Sequence, residues 1–96
     1  MKCINFTLPS GSGGMAAGHA LQGIRKKLTK FCEQYKIDSY YSATEGYNFY
    51  VWFNEDKFYT LFVLVWDNKE YWRQPTIVEK DKDSAPYNRK TTIIEE

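Results

Sequence analysis

The chain has 96 residues, a hydrophobic fraction of 43% and an aromatic fraction of 18%, which indicates one folded domain rather than a disordered chain. Its formal net charge of +1 argues against a general attraction to nucleic acid or to membranes. The first residues lack the apolar core of a signal peptide, and no apolar run reaches the length of a membrane span. We therefore expect a cytoplasmic protein with no membrane contact.

The first elements in chain order are a strand and a helix. Alternating apolar residues predict a strand over residues 2–8, and a Gly- and Ser-rich segment interrupts the pattern at residues 9–14. An apolar stripe at three- and four-residue spacing then predicts an amphipathic helix; it consists of Leu21, Ile24, Leu28, Phe31 or Cys32, and Tyr35. Four basic residues lie mostly off this stripe: Arg25, Lys26, Lys27 and Lys30.

The most distinctive segment, residues 47–66, follows a short predicted strand at residues 40–43. Its alternation predicts two aromatic strands that form a hairpin around residues 54–57, with apolar side chains on both faces. If Phe53 pairs with Phe58, the first face collects Phe49, Val51, Phe53, Phe58, Phe62 and Leu64. The second face then collects Tyr50, Trp52, Tyr59, Leu61, Val63 and Val65. One helix can cover only one of these faces.

The last part of the sequence predicts one more short strand and a tail. Residues 71–73 and 76–78 favour a strand that Pro75 interrupts, whereas residues 80–96 are charged and predict a flexible, solvated tail. The predicted domain therefore spans residues 1–79. Its fold class is α+β, with one amphipathic helix on a mainly antiparallel sheet of four or five strands, in the order β-α-β-β-β-(β).

The residue types that usually carry catalysis do not form a recognisable set. His19 has no carboxylate or thiol at the spacing of a triad or metal site, and Cys3 and Cys32 predict two buried thiols, with a redox pair as the alternative. We expect no enzymatic activity, no catalytic or metal-binding residues and no cofactor.

The Gly-rich segment before the helix formally fits G-x-G-x-x-A, the pattern of a phosphate-binding turn between a strand and a helix. The chain is too short for a second nucleotide-binding half, so the alternatives are a flexible connection and a modest anion site. Together with the basic helix, this segment gives an alternative function, binding of nucleic acid or of a nucleotide or phosphate. Its residues are Gly11, Gly13, Gly14, Arg25, Lys26, Lys27 and Lys30.

The second hairpin face gives the main functional hypothesis, because Tyr and Trp are enriched at protein interfaces. The predicted partner-binding residues are Tyr50, Trp52, Tyr59, Leu61, Tyr71 and Trp72. The partner is another protein or a second copy of the chain in a homodimer; alternatively, residues 71–72 and the tail cover the face and complete a monomeric core. A non-catalytic domain of this size suits a stoichiometric regulator or inhibitor of a host enzyme or defence complex, by analogy with the size and style of bacteriophage accessory proteins.

Overall fold

The computed structural model describes residues 1–8, 15–66, 75–85 and 87–93. The elements in chain order are β1 (Lys2–Thr7), α1 (Met15–Tyr35), β2 (Ser39–Glu45), β3 (Asn48–Trp52), α2 (Lys57–Val65), β4 (Thr76–Glu79), a 3-10 turn (Lys82–Ser84) and β5 (Arg89–Thr92). The predicted α+β class is confirmed, and the described residues include a second helix that the sequence did not predict.

The five strands form one antiparallel sheet in the order β4-β1-β3-β2-β5. Its register aligns Ile4 with Val51, Val51 with Ser42, and Ser42 with Arg89, so these four residues share one face of the sheet. Strands β4 and β5 follow one another in the chain but lie at opposite edges. The connection between them must therefore cross the sheet.

Helices α1 and α2 cover one face of the sheet, which we call the helix face. The buried core of that face includes Ile4, Phe6, Ile24, Leu28, Phe31, Phe49, Val51, Phe58 and Phe62. Phe31 of α1 meets Phe62 of α2 edge to face, with ring centroids 5.0 Å apart. Burial of one such side chain stabilises a fold by roughly 1.5–3 kcal/mol, so this shared aromatic core fixes both helices on the sheet.

The prediction of a second hairpin strand is wrong, because Lys57–Val65 forms α2. The apolar run after residue 57 is compatible with a strand or with a buried helix, and periodicity alone does not separate the two for short runs. Long-range pairing decides the outcome: β3 is already bonded to β1 on one side and β2 on the other. No edge of β3 remains for residues 58–66.

A pair of hydrogen bonds fixes the corner between β3 and α2. The backbone N–H of Phe53 donates to the Tyr59 hydroxyl oxygen at 2.9 Å, and the Tyr59 hydroxyl donates to the Phe53 carbonyl oxygen at 3.0 Å. These bonds satisfy the backbone of a buried residue at the point where strand changes to helix. Tyr59 is thus a structural residue of the helix face rather than a member of an exposed patch.

Residues 89–92, inside the segment predicted as a flexible tail, form β5 and pair with β2. The backbone N–H of Ile93 also donates to the Asp38 carbonyl oxygen at 2.7 Å. The sheet therefore extends beyond residue 79. Polar composition indicated solvation, but an edge strand with exposed side chains is held by its backbone hydrogen bonds and needs few apolar residues.

Candidate functional site

The four predicted partner-binding residues that the structure describes do not form one surface. Tyr50 and Trp52 lie on the face of β3 that points away from the helices, whereas Tyr59 and Leu61 belong to α2. Residues 71 and 72 lie outside the described part of the chain. Trp52 and Tyr59 are each only 2% exposed, so neither offers a free aromatic surface to a partner.

The face of the sheet opposite the helices, which we call the second face, is covered by the connection from β4 to β5. A small core there consists of Cys3, Ala43, Trp52 and Ala85. The indole N–H of Trp52 donates to the Lys80 carbonyl oxygen at 3.0 Å. The structure therefore agrees with the alternative in which the C-terminal segment covers this face, at least for the described residues of that segment.

Two lysine side chains complete the cover of the second face. The Lys80 ammonium lies 4.9 Å from the centroid of the Tyr50 ring and 3.3 Å from a carboxylate oxygen of Glu45. The Lys82 ammonium lies 3.8 Å from the centroid of the Tyr41 ring. Such cation–π contacts contribute roughly 0.5–1 kcal/mol each at exposed sites, so these aromatic rings already have partners within the chain.

The two thiols are buried on opposite faces of the sheet, Cys3 in the core of the second face and Cys32 on the buried side of α1. Burial raises the pKa of each thiol to about 11; for Cys3 the nearby Lys80 partly opposes this effect. A protonated, buried thiol is a poor nucleophile. His19 is exposed on α1, and within the described residues no group of three or more His, Cys, Asp or Glu could hold a metal ion.

The four basic residues of α1 lie in three different environments. The Arg25 guanidinium lies 5.6 Å from the centroid of the Phe49 ring, and the Lys27 ammonium lies 4.7 Å from that of Trp66. Lys26 and Lys30 are exposed. The Gly-rich residues Gly11, Gly13 and Gly14 lie outside the described part of the chain, so the alternative anion site is represented here by its helical half alone.

The structure places an open cleft between the two helices, which we call the α1–α2 cleft. Its volume is about 300 Å³, and its lining residues are Lys27, Lys30, Phe31, Gln34, Phe62, Val65 and Trp66. The ring of Phe62 contacts those of Phe31 and Trp66, with centroids 5.0 and 5.4 Å apart. The cleft thus combines an apolar aromatic floor with a rim of lysine and glutamine, and its lining within the described residues includes no Asp or Glu.

Two further features make the C-terminal half of α2 unusual for a helix surface. Leu64 is 75% exposed and Val65 is 50% exposed, which leaves two neighbouring apolar side chains in solvent beside the cleft. The buried Nε1 of Trp66 has no hydrogen-bond partner in the part of the chain that the structure describes. The end of α2 thus presents apolar side chains at the margin of the cleft.

The sequence predictions missed this cleft because they treated residues 58–66 as a strand. A helical signal is nevertheless present: Phe58, Phe62 and Trp66 recur every four residues, and all three are buried. With that spacing on a helix, the three side chains share one face. Reading the run with both periods would have placed Phe62 and Trp66 beside α1.

Comparisons of the chain with protein-family models, with curated proteins and with solved structures found no match. In the described residues, neither helix combines the length and apolar character needed to cross a membrane. The function must therefore be inferred from the geometry and chemistry of the surfaces themselves.

Proposed function

We propose that this chain is a small, non-catalytic binding protein that regulates a protein partner by stoichiometric contact, through the α1–α2 cleft. The cleft receives an acidic, amphipathic segment of the partner, whose apolar side chains enter it and whose carboxylates meet its lysine rim. The observation that carries this proposal is the apolar floor bordered by basic side chains, with no acidic residue among the described residues of the lining.

Apolar contact supplies most of the affinity in this proposal. Burying one Leu- or Phe-sized side chain of a partner contributes roughly 1.5–3 kcal/mol, and the exposed Leu64 and Val65 enlarge the apolar area beside the cleft. A carboxylate opposite the exposed Lys30 adds only about 0.2–1 kcal/mol. The charge therefore selects acidic partners and accelerates association more than it tightens the complex.

The charge of the cleft also favours a different protein over a second copy of this chain. In a two-fold dimer the same patch lies on both sides of the interface. A homodimer through the cleft would therefore bring the exposed Lys30 side chain of one copy towards that of the other. Like charges opposed at an interface cost free energy, whereas an acidic segment complements them.

Nucleic-acid binding stays the second candidate, and the exposed Lys26 and Lys30 on α1 support it. Binding of that kind would fall steeply with added salt because phosphate contacts release counterions. The cleft is less suited to it: Phe31, Phe62 and Trp66 are at most 9% exposed, and Lys27 lies over the Trp66 ring. Bases stack on free aromatic faces, which this cleft does not provide.

We also propose a cytoplasmic location and a regulatory or inhibitory role of the kind found among bacteriophage accessory proteins. The location is supported by two free, buried cysteines, since thiols persist in reducing compartments. The role is supported by the small size of the chain together with a binding cleft and thiols that burial keeps protonated.

The test uses two synthetic peptides of identical Glu- and Leu-rich composition, one with its leucines on a single helical face and one with the order permuted. We expect the amphipathic peptide to bind more tightly in a fluorescence anisotropy titration. Lys30→Glu should weaken the binding of the amphipathic peptide. Leu64→Ser should weaken it more than Lys30→Glu does, because it removes apolar area. Lys26→Glu is the matched control, because Lys26 is an exposed lysine of the same helix that does not line the cleft.

Equal binding of the two peptides, or equal losses for Lys26→Glu and Lys30→Glu, would show general electrostatic attraction and contradict the proposal. A labelled DNA duplex forms a further arm. Tighter, strongly salt-dependent binding of the duplex would favour the second candidate instead. Light scattering of the free protein at the same concentrations separates self-association from peptide binding.

A further inference from the structure

A second cavity lies at the other side of α1, where the helix meets the edge of the sheet. It has a volume of about 240 Å³, and we call it the arginine pocket; its lining residues are Arg25, Ser42, Ala43, Thr44, Tyr87 and Arg89. It shares no residue with the α1–α2 cleft. Its two arginines come from parts of the chain 64 positions apart in sequence, which only the fold brings together.

The sheet register explains why these residues meet. Arg89 of β5 is aligned with Ser42 of β2, and Ser42 is aligned with Val51 in the core of the helix face. Side chains two positions apart on a strand point the same way, so Thr44 shares that face. Arg25 approaches it from α1, which lies above.

Within the described part of the chain, the pocket carries positive charge with no opposing carboxylate in its lining. Two arginines line it, and neither forms an ion pair with another described residue. The nearest acidic residue along β2, Glu45, points to the second face by strand alternation and pairs there with Lys80 at 3.3 Å. Two like charges beside one cavity repel each other, and a bound anion would remove that cost.

Three hydroxyl-bearing residues accompany the arginines. Ser42 is 1% exposed, Thr44 lies on the same face of β2, and Tyr87 is 85% exposed beside the mouth of the pocket. Guanidinium groups present planar N–H donors that match the oxygens of a phosphate group, and hydroxyls donate to the same oxygens. A dianion suits a pair of arginines better than a single carboxylate does.

We propose that the arginine pocket binds the phosphate group of a phosphate monoester, with Arg25 and Arg89 as its principal ligands. The volume exceeds that of an isolated phosphate ion and leaves room for part of the esterified group. The exposed Tyr87 ring is placed where an aromatic base could stack on it. This site is independent of the proposed protein-binding cleft, so either proposal can fail while the other stands.

The test is a calorimetric titration of the full chain at low ionic strength, with orthophosphate and adenosine monophosphate as separate probes. We expect saturable binding with one site. Arg89→Met should weaken it about tenfold, the loss typical of one hydrogen bond to a charged group. Lys90→Met is the matched control, since Lys90 is the next residue of β5 and faces the other side of the sheet; it should change the affinity less than about twofold.

Arg25→Met provides a second variant on the other side of the pocket, with circular dichroism to confirm that the fold is retained. Absence of saturable binding by the wild-type chain would overturn the proposal, as would equal losses for Arg89→Met and Lys90→Met. Equal affinities for the two probes would identify the phosphate group alone as the ligand. Tighter binding of the nucleotide, lost in Tyr87→Ala, would identify a mononucleotide.

Discussion

The two faces of the sheet are built in different ways. The helix face carries a continuous core of large aromatic and aliphatic side chains under two helices. Among the described residues, the second face has a smaller core of Cys3, Ala43, Trp52 and Ala85, against which Tyr41, Tyr50 and Val78 pack, and it is covered by a short connection and by the stems of two lysines. Because burial of apolar area drives folding, the helix face must supply most of the stability, and the second face is the thinner of the two.

This difference between the two faces also indicates where a ligand or partner can bind. The α1–α2 cleft lies directly on the aromatic core of the helix face, and the arginine pocket lies at the margin of that face. The second face uses its aromatic rings to hold the chain's own connection, as the bond from Trp52 to the Lys80 carbonyl shows. A surface already occupied by its own chain is a weak place for a partner to bind.

Removal of the Phe62 ring should give the largest loss of stability. Phe62 is 2% exposed and contacts the rings of Phe6, Phe31 and Trp66. Phe62→Ala should lower the free energy of unfolding in urea by roughly 3–5 kcal/mol, because it removes buried area and leaves a cavity. Leu64→Ala on the same helix is the control, and its effect should stay near 0.5 kcal/mol since Leu64 is 75% exposed. Similar losses for both variants would show that α2 does not pack as described.

Alkaline pH should weaken the fold through the two buried thiols. Each has a folded-state pKa raised to about 11 by burial, above the value of roughly 8.5 expected in the unfolded chain. A group whose neutral form is favoured in the folded state contributes its stability in full below the unfolded pKa and loses it as the pH rises through the folded pKa. The free energy of unfolding should therefore fall between about pH 8.5 and 11, by on the order of 3 kcal/mol per thiol.

Urea titrations at several pH values measure this loss. Burial also raises the pKa of Tyr40 and Tyr59, and these groups act in the same direction. The Cys32→Ala variant isolates the contribution of one thiol, because its stability should depend less steeply on pH than that of the wild type. An unchanged slope would mean that the Cys32 thiol is not desolvated in the folded chain.

The sequence predicted those parts of this architecture that local pattern determines. The strand at residues 2–8, the helix ending at Tyr35 and the strand near residues 40–43 correspond to β1, α1 and β2. The helix ends where expected because Lys36 takes a left-handed backbone angle, φ 56°, and the N–H of Ile37 donates to the Cys32 carbonyl oxygen at 2.8 Å. A capped helix end of this kind is a local event.

The parts of the fold that depend on long-range pairing could not be predicted from local sequence pattern. Whether residues 58–66 form a strand or a helix depends on which strands flank β3, and the pairing of β3 with β1 joins residues more than 40 positions apart. The edge strand β5 has the sequence Arg-Lys-Thr-Thr, which carries no apolar alternation. Both candidate sites depend on these two elements, so neither site was visible in the sequence.

The smallest expected effect concerns the cover of the second face. Lys80→Met keeps an apolar stem but removes the charge that contacts Glu45 and Tyr50. It should lower the free energy of unfolding by less than about 1 kcal/mol, the usual range for a partly exposed ion pair. Lys57→Met is the control, because Lys57, the first residue of α2, forms an exposed ion pair with Glu55 at 3.8 Å.

Alkylation of the two thiols, followed by mass spectrometry, measures how Lys80→Met affects each face of the sheet separately. A segment held by few apolar contacts opens more often than a thick core, so in the wild-type chain we expect Cys3 to react before Cys32. Lys80→Met should accelerate the reaction of Cys3 and leave that of Cys32 unchanged, whereas Lys57→Met should change neither. If both thiols react at one common rate in every variant, they become accessible only by global unfolding. The second face would then be as stable against local opening as the helix face, and the proposed difference in stability between the two faces would be incorrect.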